Sequence, residues 1–290
     1  MRGMGPGNMA PIRIDLHTLV RYWLISPFTC AVLAGLILAG LWYFQATRDL
    51  AEAGVWWPGR RTGLFLAGLV AVELAFQSSV AMLPYISFPM AVVQKLFLLV
   101  VAPPLLVLGA PLELALATAS QKTRDRLLAA TRSAAGRAVS HPTVLFFLFY
   151  GGLLAFFLTQ ALAASMRRVW LLDVVNLAFL AVAVLFWSAT LAAGSPGRRL
   201  PRLWGGAVLA SALGVLLLVR TTPVAPIYTL AGTHSGAALL WAGVGLATLG
   251  TRWAVYAAWT DYELDPEDEL DPVAAEDHPP GPGVRLSGPG

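Results

Sequence analysis

The chain has 290 residues, of which 57% are hydrophobic and 12% charged, with a formal net charge of +4. An average soluble domain carries about 25% charged residues; half that share cannot cover a soluble surface of this size, and the mean hydropathy of +0.68 agrees. One cysteine, Cys30, excludes an intrachain disulfide, and four histidines (His17, His141, His234 and His278) exclude most histidine-built metal centres.

The sequence predicts an all-α polytopic membrane protein with seven transmembrane helices. Residues 1–27 are not a signal peptide, because the apolar run behind them is too long and no small-residue cleavage site follows. Ile12, Leu16, Leu19, Val20 and Trp23 recur at helical spacing, so this segment lies in the membrane interface. A spanning helix needs about 20 apolar residues. Seven stretches qualify: 28–46, 62–82, 90–112, 142–164, 170–193, 204–220 and 234–255. Their apolar runs are continuous rather than alternating, which excludes a β-barrel. The transmembrane domain is therefore expected over 28–255. Residues 256–290 are expected to form a disordered acidic cytoplasmic tail, since DYELDPEDELDPVAAEDHPPGPG, from Asp261, is acidic and rich in Pro and Gly.

Basic residues set the orientation. With the N-terminus outside, the inner loops hold Arg48, Arg60 and Arg61, then Lys122, Arg124, Arg126, Arg132 and Arg137, then Arg198, Arg199 and Arg202. The outer segments hold fewer, although Arg2, Arg13 and Arg21 oppose this arrangement. The expectation is N-out and C-in, multi-pass, in the plasma membrane. The inner loop 113–141 reads as a basic amphipathic helix that attracts anionic lipid or docks a partner. The charge speaks to topology rather than to nucleic acid.

Ionisable residues inside a span are costly and face the bundle interior with a partner. Glu73 lies midway along the second span, and Lys95 in the third. Counted from the connecting turn, their depths differ by about 6 Å at the helical rise, so a Glu73–Lys95 pair is expected. That pair either ties two helices together or holds a site closed. Gln77, Gln94, Gln160, Asp173, Asn176 and His234 gather in the same half of the bilayer. They form either a polar cavity or interhelical hydrogen bonds. Met82, Met90 and Met166 sit at the same ends; with His234 they are candidate Cu(I) ligands, because thioethers suit that ion, or else packing residues. Pro103 and Pro104 remove backbone donors and are expected to kink the third helix. The glycines of the spans, Gly35, Gly40, Gly63, Gly68, Gly205, Gly206, Gly214, Gly243 and Gly245, read as close helix packing. No catalytic constellation, phosphate loop or dinucleotide fingerprint is present, so no enzyme is expected.

The stretch VQKLFLLVVAPPLLVLGAP, Val93 to Pro111, resembles a signature of the seven-span CtaG family of cytochrome c oxidase assembly factors. The resemblance rests on Gln94, on Ala102-Pro103-Pro104-Leu105-Leu106 and on Gly109-Ala110-Pro111. His141-Pro142, Phe179-Leu180 through Phe186-Trp187, and HSGAALLW from His234 to Trp241 look like further family landmarks. The resemblance covers roughly 60–255 and implies the family fold. It also implies a departure. The family typically carries a His-Met-x-x-His pattern before the prolines, where this chain has Ala91-Val92-Val93-Gln94-Lys95. A second family histidine pair falls at Leu172 and Asn176, and His234 stands where an acidic residue is usual. Lys95 thus puts a fixed cation where a metal would sit. The resemblance therefore implies an assembly factor for a haem–copper oxidase that acts mainly by protein contact, with no cofactor. Its partners would be membrane lipids and oxidase subunits or other assembly factors. A Cu(I) carrier and a small-molecule or ion transporter remain the alternatives.

Overall fold

The computed structural model describes residues 23–133, 141–191, 196–243 and 245. All regular structure among them is helical. Helix α1, Pro27–Glu52, starts at a reciprocal cap: Thr29 N–H donates to the Ser26 hydroxyl, and Ser26 N–H donates to Thr29 Oγ1. Proline in the first turn costs nothing there, since that N–H has no helical partner. Helix α2, Gly59–Gln77, runs back against α1.

The second span is not the continuous helix expected over 62–82. It breaks at Ser78, whose backbone is extended (φ −74°, ψ −176°), and continues as α3, Ser79–Met82, with a 3-10 turn to Tyr85. The two pieces meet at 45°. The Ser78 hydroxyl accepts from Val80 N–H, so the break is a serine cap of the kind that competes with a continuing helix.

Helix α4, Phe88–Leu96, passes through a π-helical turn, Phe97–Val101, into α5, Ala102–Leu108. The two prolines are accommodated by this wider turn rather than by an abrupt break, and Phe88–Thr118 remains one apolar helical stretch of 31 residues. After Gly109, Ala110 adopts a left-handed conformation (φ 52°) and opens α6, Pro111–Thr118. The basic helix expected across 113–141 divides accordingly. Residues to Thr118 are apolar apart from Glu113, and the basic part is α7, Gln121–Arg132; residues 134–140 lie outside the described residues.

Helix α8, Pro142–Phe146, leads through a second π turn, Phe147–Gly151, into α9, Gly152–Leu158, and a short α10, Ala161–Ser165. His141 occupies the N-cap position of α8 without a side-chain cap bond. The long α11 is Val169–Leu191, α12 is Pro196–Leu218, and α13 covers 230–243.

Three stretches are long and apolar enough to cross a membrane: α1, Phe88–Thr118 and α11; the bent pair α2–α3 makes a fourth. Pro142–Leu158 and Trp204–Leu218 are apolar but shorter. The seventh expected span continues past the described residues, as do the interfacial segment before residue 23 and the acidic tail. Ile37, Leu38, Leu41 and Phe44 on α1, with Phe147, Val208 and Val215, stand exposed. A soluble monomer rarely shows so much apolar surface, and such a belt fits lipid.

The main core joins Phe88, Val92 and Leu99 to aromatic side chains of the π turn, α9 and α11, among them Phe149, Phe157, Phe186 and Trp187. A smaller cluster at the other end stacks Tyr43 on Phe65 at 4.3 Å between ring centroids. Gly109 is required there: a Cβ on it would stand 2.6 Å from the Phe65 Cβ. The Tyr43 hydroxyl donates to the Gly109 carbonyl at 2.7 Å. Of the glycines expected at helix contacts, Gly68, Gly206, Gly214 and Gly243 lie that close to a neighbour, whereas Gly35, Gly63 and Gly245 face open space.

Candidate functional site: a buried lysine between three helices

Residues 94 and 95 are adjacent on α4, and successive helical side chains point about 100° apart. They therefore serve different neighbours. Gln94 turns to α2, where its amide donates to the Ala75 carbonyl at 2.9 Å. Lys95 turns to α9 and α11. Its ammonium donates to Asn176 Oδ1 and sits 4.6 Å from the Phe156 ring centroid and 5.3 Å from that of Phe179. Lys95 and Asn176 are only 2% and 1% exposed.

The Glu73–Lys95 pair is therefore replaced by a Lys95–Asn176 hydrogen bond. Depth along the helices permits the expected pair, but facing direction does not: the side of α4 that meets α2 is the one Gln94 occupies. Glu73 is half-buried, and its Oε2 is buried without a hydrogen-bond partner. The ammonium is held instead by one strong acceptor and two π faces. A desolvated cation–π contact is worth about 2 kcal/mol, and a hydrogen bond to a charged group about 1.5–3 kcal/mol.

Asp173 is buried three residues before Asn176, and Leu172 is buried beside it. Spacings of three and four place Asp173, Leu172 and Asn176 along one face of α11. The other polar candidates do not join this group. The Gln77 amide donates to the Thr29 carbonyl at 2.8 Å, fastening α2 to the start of α1. Gln160 is exposed between α9 and α10. His234 Nε2 lies 3.0 Å from the Arg220 carbonyl. Gln77 and Gln94 thus act as interhelical ties to backbone carbonyls.

The copper candidates are held differently from one another. Met82 is 41% exposed, whereas Met90 is 1% exposed. Met166 Sδ lies 3.5 Å from the Tyr228 hydroxyl, which donates to the Pro84 carbonyl. Burial pushes the Tyr228 phenol up from its ordinary range, so it stays a donor. Among the described residues, no group of three His, Cys, Asp or Glu converges as a metal site.

Three contacts are not legible in the sequence. Tyr228 ties the 221–229 loop to the turn before α4; nothing in the sequence singles it out. Phe156 and Phe179 form the lysine's aromatic walls; Phe179 belongs to a family landmark in the sequence, but nothing there gives its contact with Lys95. The third is Trp187, whose indole donates to the Leu99 carbonyl at 2.8 Å. That carbonyl has no helical donor in either register. An α-helical bond would come from residue 103 and a π-helical one from residue 104, and both are proline. The donor is thus supplied from another helix.

These observations define, among the described residues, an all-helical, lipid-suited bundle whose central polar group is a caged lysine. Residues 41–261 match the family described as cytochrome c oxidase caa3 assembly factor (Caa3_CtaG), and the chain belongs to that family. The chain is also similar to an uncharacterized protein of Mycobacterium leprae, 26% identical over 265 residues. That match covers 83% of this chain and 40% of the relative, so the chain spans less than half of the relative's length. No solved structure matches it.

Proposed function

We propose that this protein is an integral membrane assembly factor for a haem–copper cytochrome c oxidase that works by protein contact, without resident copper and without catalysis of its own. The reading includes seven spans with the N-terminus outside, and oxidase subunits or other assembly factors as partners. The observation that carries it is the Lys95–Asn176 bond. The resemblance assigns family histidines to both of these positions, one on α4 and one on α11. Here the two positions face each other, as two ligands of one ion would. They hold an ammonium and an amide instead. Neither an amine nor an amide is the soft thioether or thiolate donor that Cu(I) takes. Glu73, Asp173, Gln77, Gln94 and His234 then serve the shape of the bundle and the face it shows to its partner, and Gln160 lies on the exposed rim of that face.

The test is a Cu(I) titration of the purified full chain in mild detergent under reducing conditions, with a parallel co-purification from its host membrane. No tight Cu(I) and recovery of an oxidase subunit are expected. Stoichiometric Cu(I) that Met90→Leu or Met166→Leu abolishes refutes the proposal and favours a carrier.

A further inference from the structure

A cavity of about 440 Å3 lies between the α5–α6 corner and α11, at the end of the bundle away from Lys95. Its size falls within the roughly 300–1,000 Å3 of small-ligand sites. Leu106, Leu108, Pro111, Val184 and Leu191 make its wall apolar. Ser188 also lines it, but its hydroxyl donates to the Val184 carbonyl at 2.7 Å, so it makes no polar demand on an occupant. Leu108 and Leu112 are exposed at its edge, so the slot opens onto an apolar surface.

The mouth of this slot is charged. Arg61 and Glu113 both line it and pair at 2.6 Å, with the guanidinium 5.0 Å over the Trp57 ring. The two side chains are 38% and 66% exposed, so both can still receive a partner. The slot therefore offers an apolar trough closed by a cation and an anion side by side. A fatty acid or an anionic lipid answers only the cation and is repelled by Glu113. A quaternary ammonium cannot donate a hydrogen bond to the carboxylate. We infer that the slot binds a phospholipid of the phosphatidylethanolamine type, with an acyl chain in the trough, phosphate on Arg61 and the primary ammonium on Glu113. Guanidinium–phosphate and ammonium–carboxylate contacts are the strong, charge-assisted class of hydrogen bond.

Native mass spectrometry of the full chain, with phosphatidylethanolamine, phosphatidylcholine and phosphatidylglycerol of identical acyl chains, tests this directly. The wild type is expected to retain phosphatidylethanolamine preferentially. Glu113→Gln, on an exposed side chain where folding is not at stake, should cut the preference over phosphatidylcholine roughly tenfold. Ser188→Phe, which fills the trough and leaves both charges in place, should release all three lipids. Equal retention of the three by the wild type overturns the inference. So does a preference unchanged by Glu113→Gln, or a slot that stays empty of lipid and is shielded only when an oxidase subunit is added.

Discussion

Replacing Trp187 with phenylalanine isolates the clearest structural debt of the proline pair. The substitution keeps an aromatic ring beside Phe186 and removes the donor to the carbonyl of Leu99, a buried residue. An orphaned buried acceptor costs about 1–3 kcal/mol. Interhelical bonds in bilayers average about 0.6 kcal/mol and reach about 1.7 kcal/mol. The smaller ring adds a packing loss, so a total near 2 kcal/mol is expected in detergent unfolding. The packing part is removed by a second variant. Pro103→Ala returns an N–H to the position that reaches residue 99 in α-helical register. In that background the carbonyl has its own donor, and Trp187→Phe should cost about 1 kcal/mol less than it does alone. A double-mutant cycle by urea or thermal unfolding in a single detergent measures the difference. A coupling energy of zero refutes the claim that tryptophan substitutes for the missing backbone donor.

Asn176→Leu removes the lysine's acceptor and should destabilise the bundle by about 1.5–3 kcal/mol; Lys95→Met added to it should restore most of that loss, because an apolar pair of similar volume replaces a buried polar one at little cost. Equal stability of wild type and Asn176→Leu in detergent unfolding refutes the cage. Gly109→Ala pushes a methyl against Phe65 and should cost about 1–3 kcal/mol, whereas Gly63→Ala, with open space around it, should be neutral or gain up to about 1 kcal/mol from helix propensity. Thermal unfolding separates the two, and an equal loss at both positions would show that the close approach at Gly109 is unimportant.

Much of the architecture is legible because bilayer thickness and the 3.6-residue period constrain apolar stretches strongly. α1, the Phe88–Thr118 stretch and α11 fall where the hydrophobic runs place them. Breaks inside apolar runs are harder to read. Ser78 ends α2 by a local hydroxyl bond that hydropathy does not register, and the π turn before Pro103 depends on a tryptophan 88 residues away in sequence. The site shows the same division. Residue type marked Lys95, Asn176 and Asp173 as costly and therefore placed with purpose, and all are buried. Their pairing was not legible, since it depends on which flank of α4 meets which helix. Gln94 and Lys95 differ by one residue in sequence and by a whole neighbour in space.

The same geometry explains how the bundle closes around its central polar groups. A buried polar group left without a partner is expensive. Lys95 and Asn176 partner each other. The lysine's long stem covers apolar surface while its head reaches the amide, and Phe156 and Phe179 replace lost solvation with π faces. The pair thus joins α4 to α11 through protein atoms. If that is its role, the bundle's stability should be indifferent to copper chelation, and unfolding curves with and without a strong Cu(I) chelator should superimpose. A chelator-dependent shift in the midpoint would mean that a metal contributes to the fold after all.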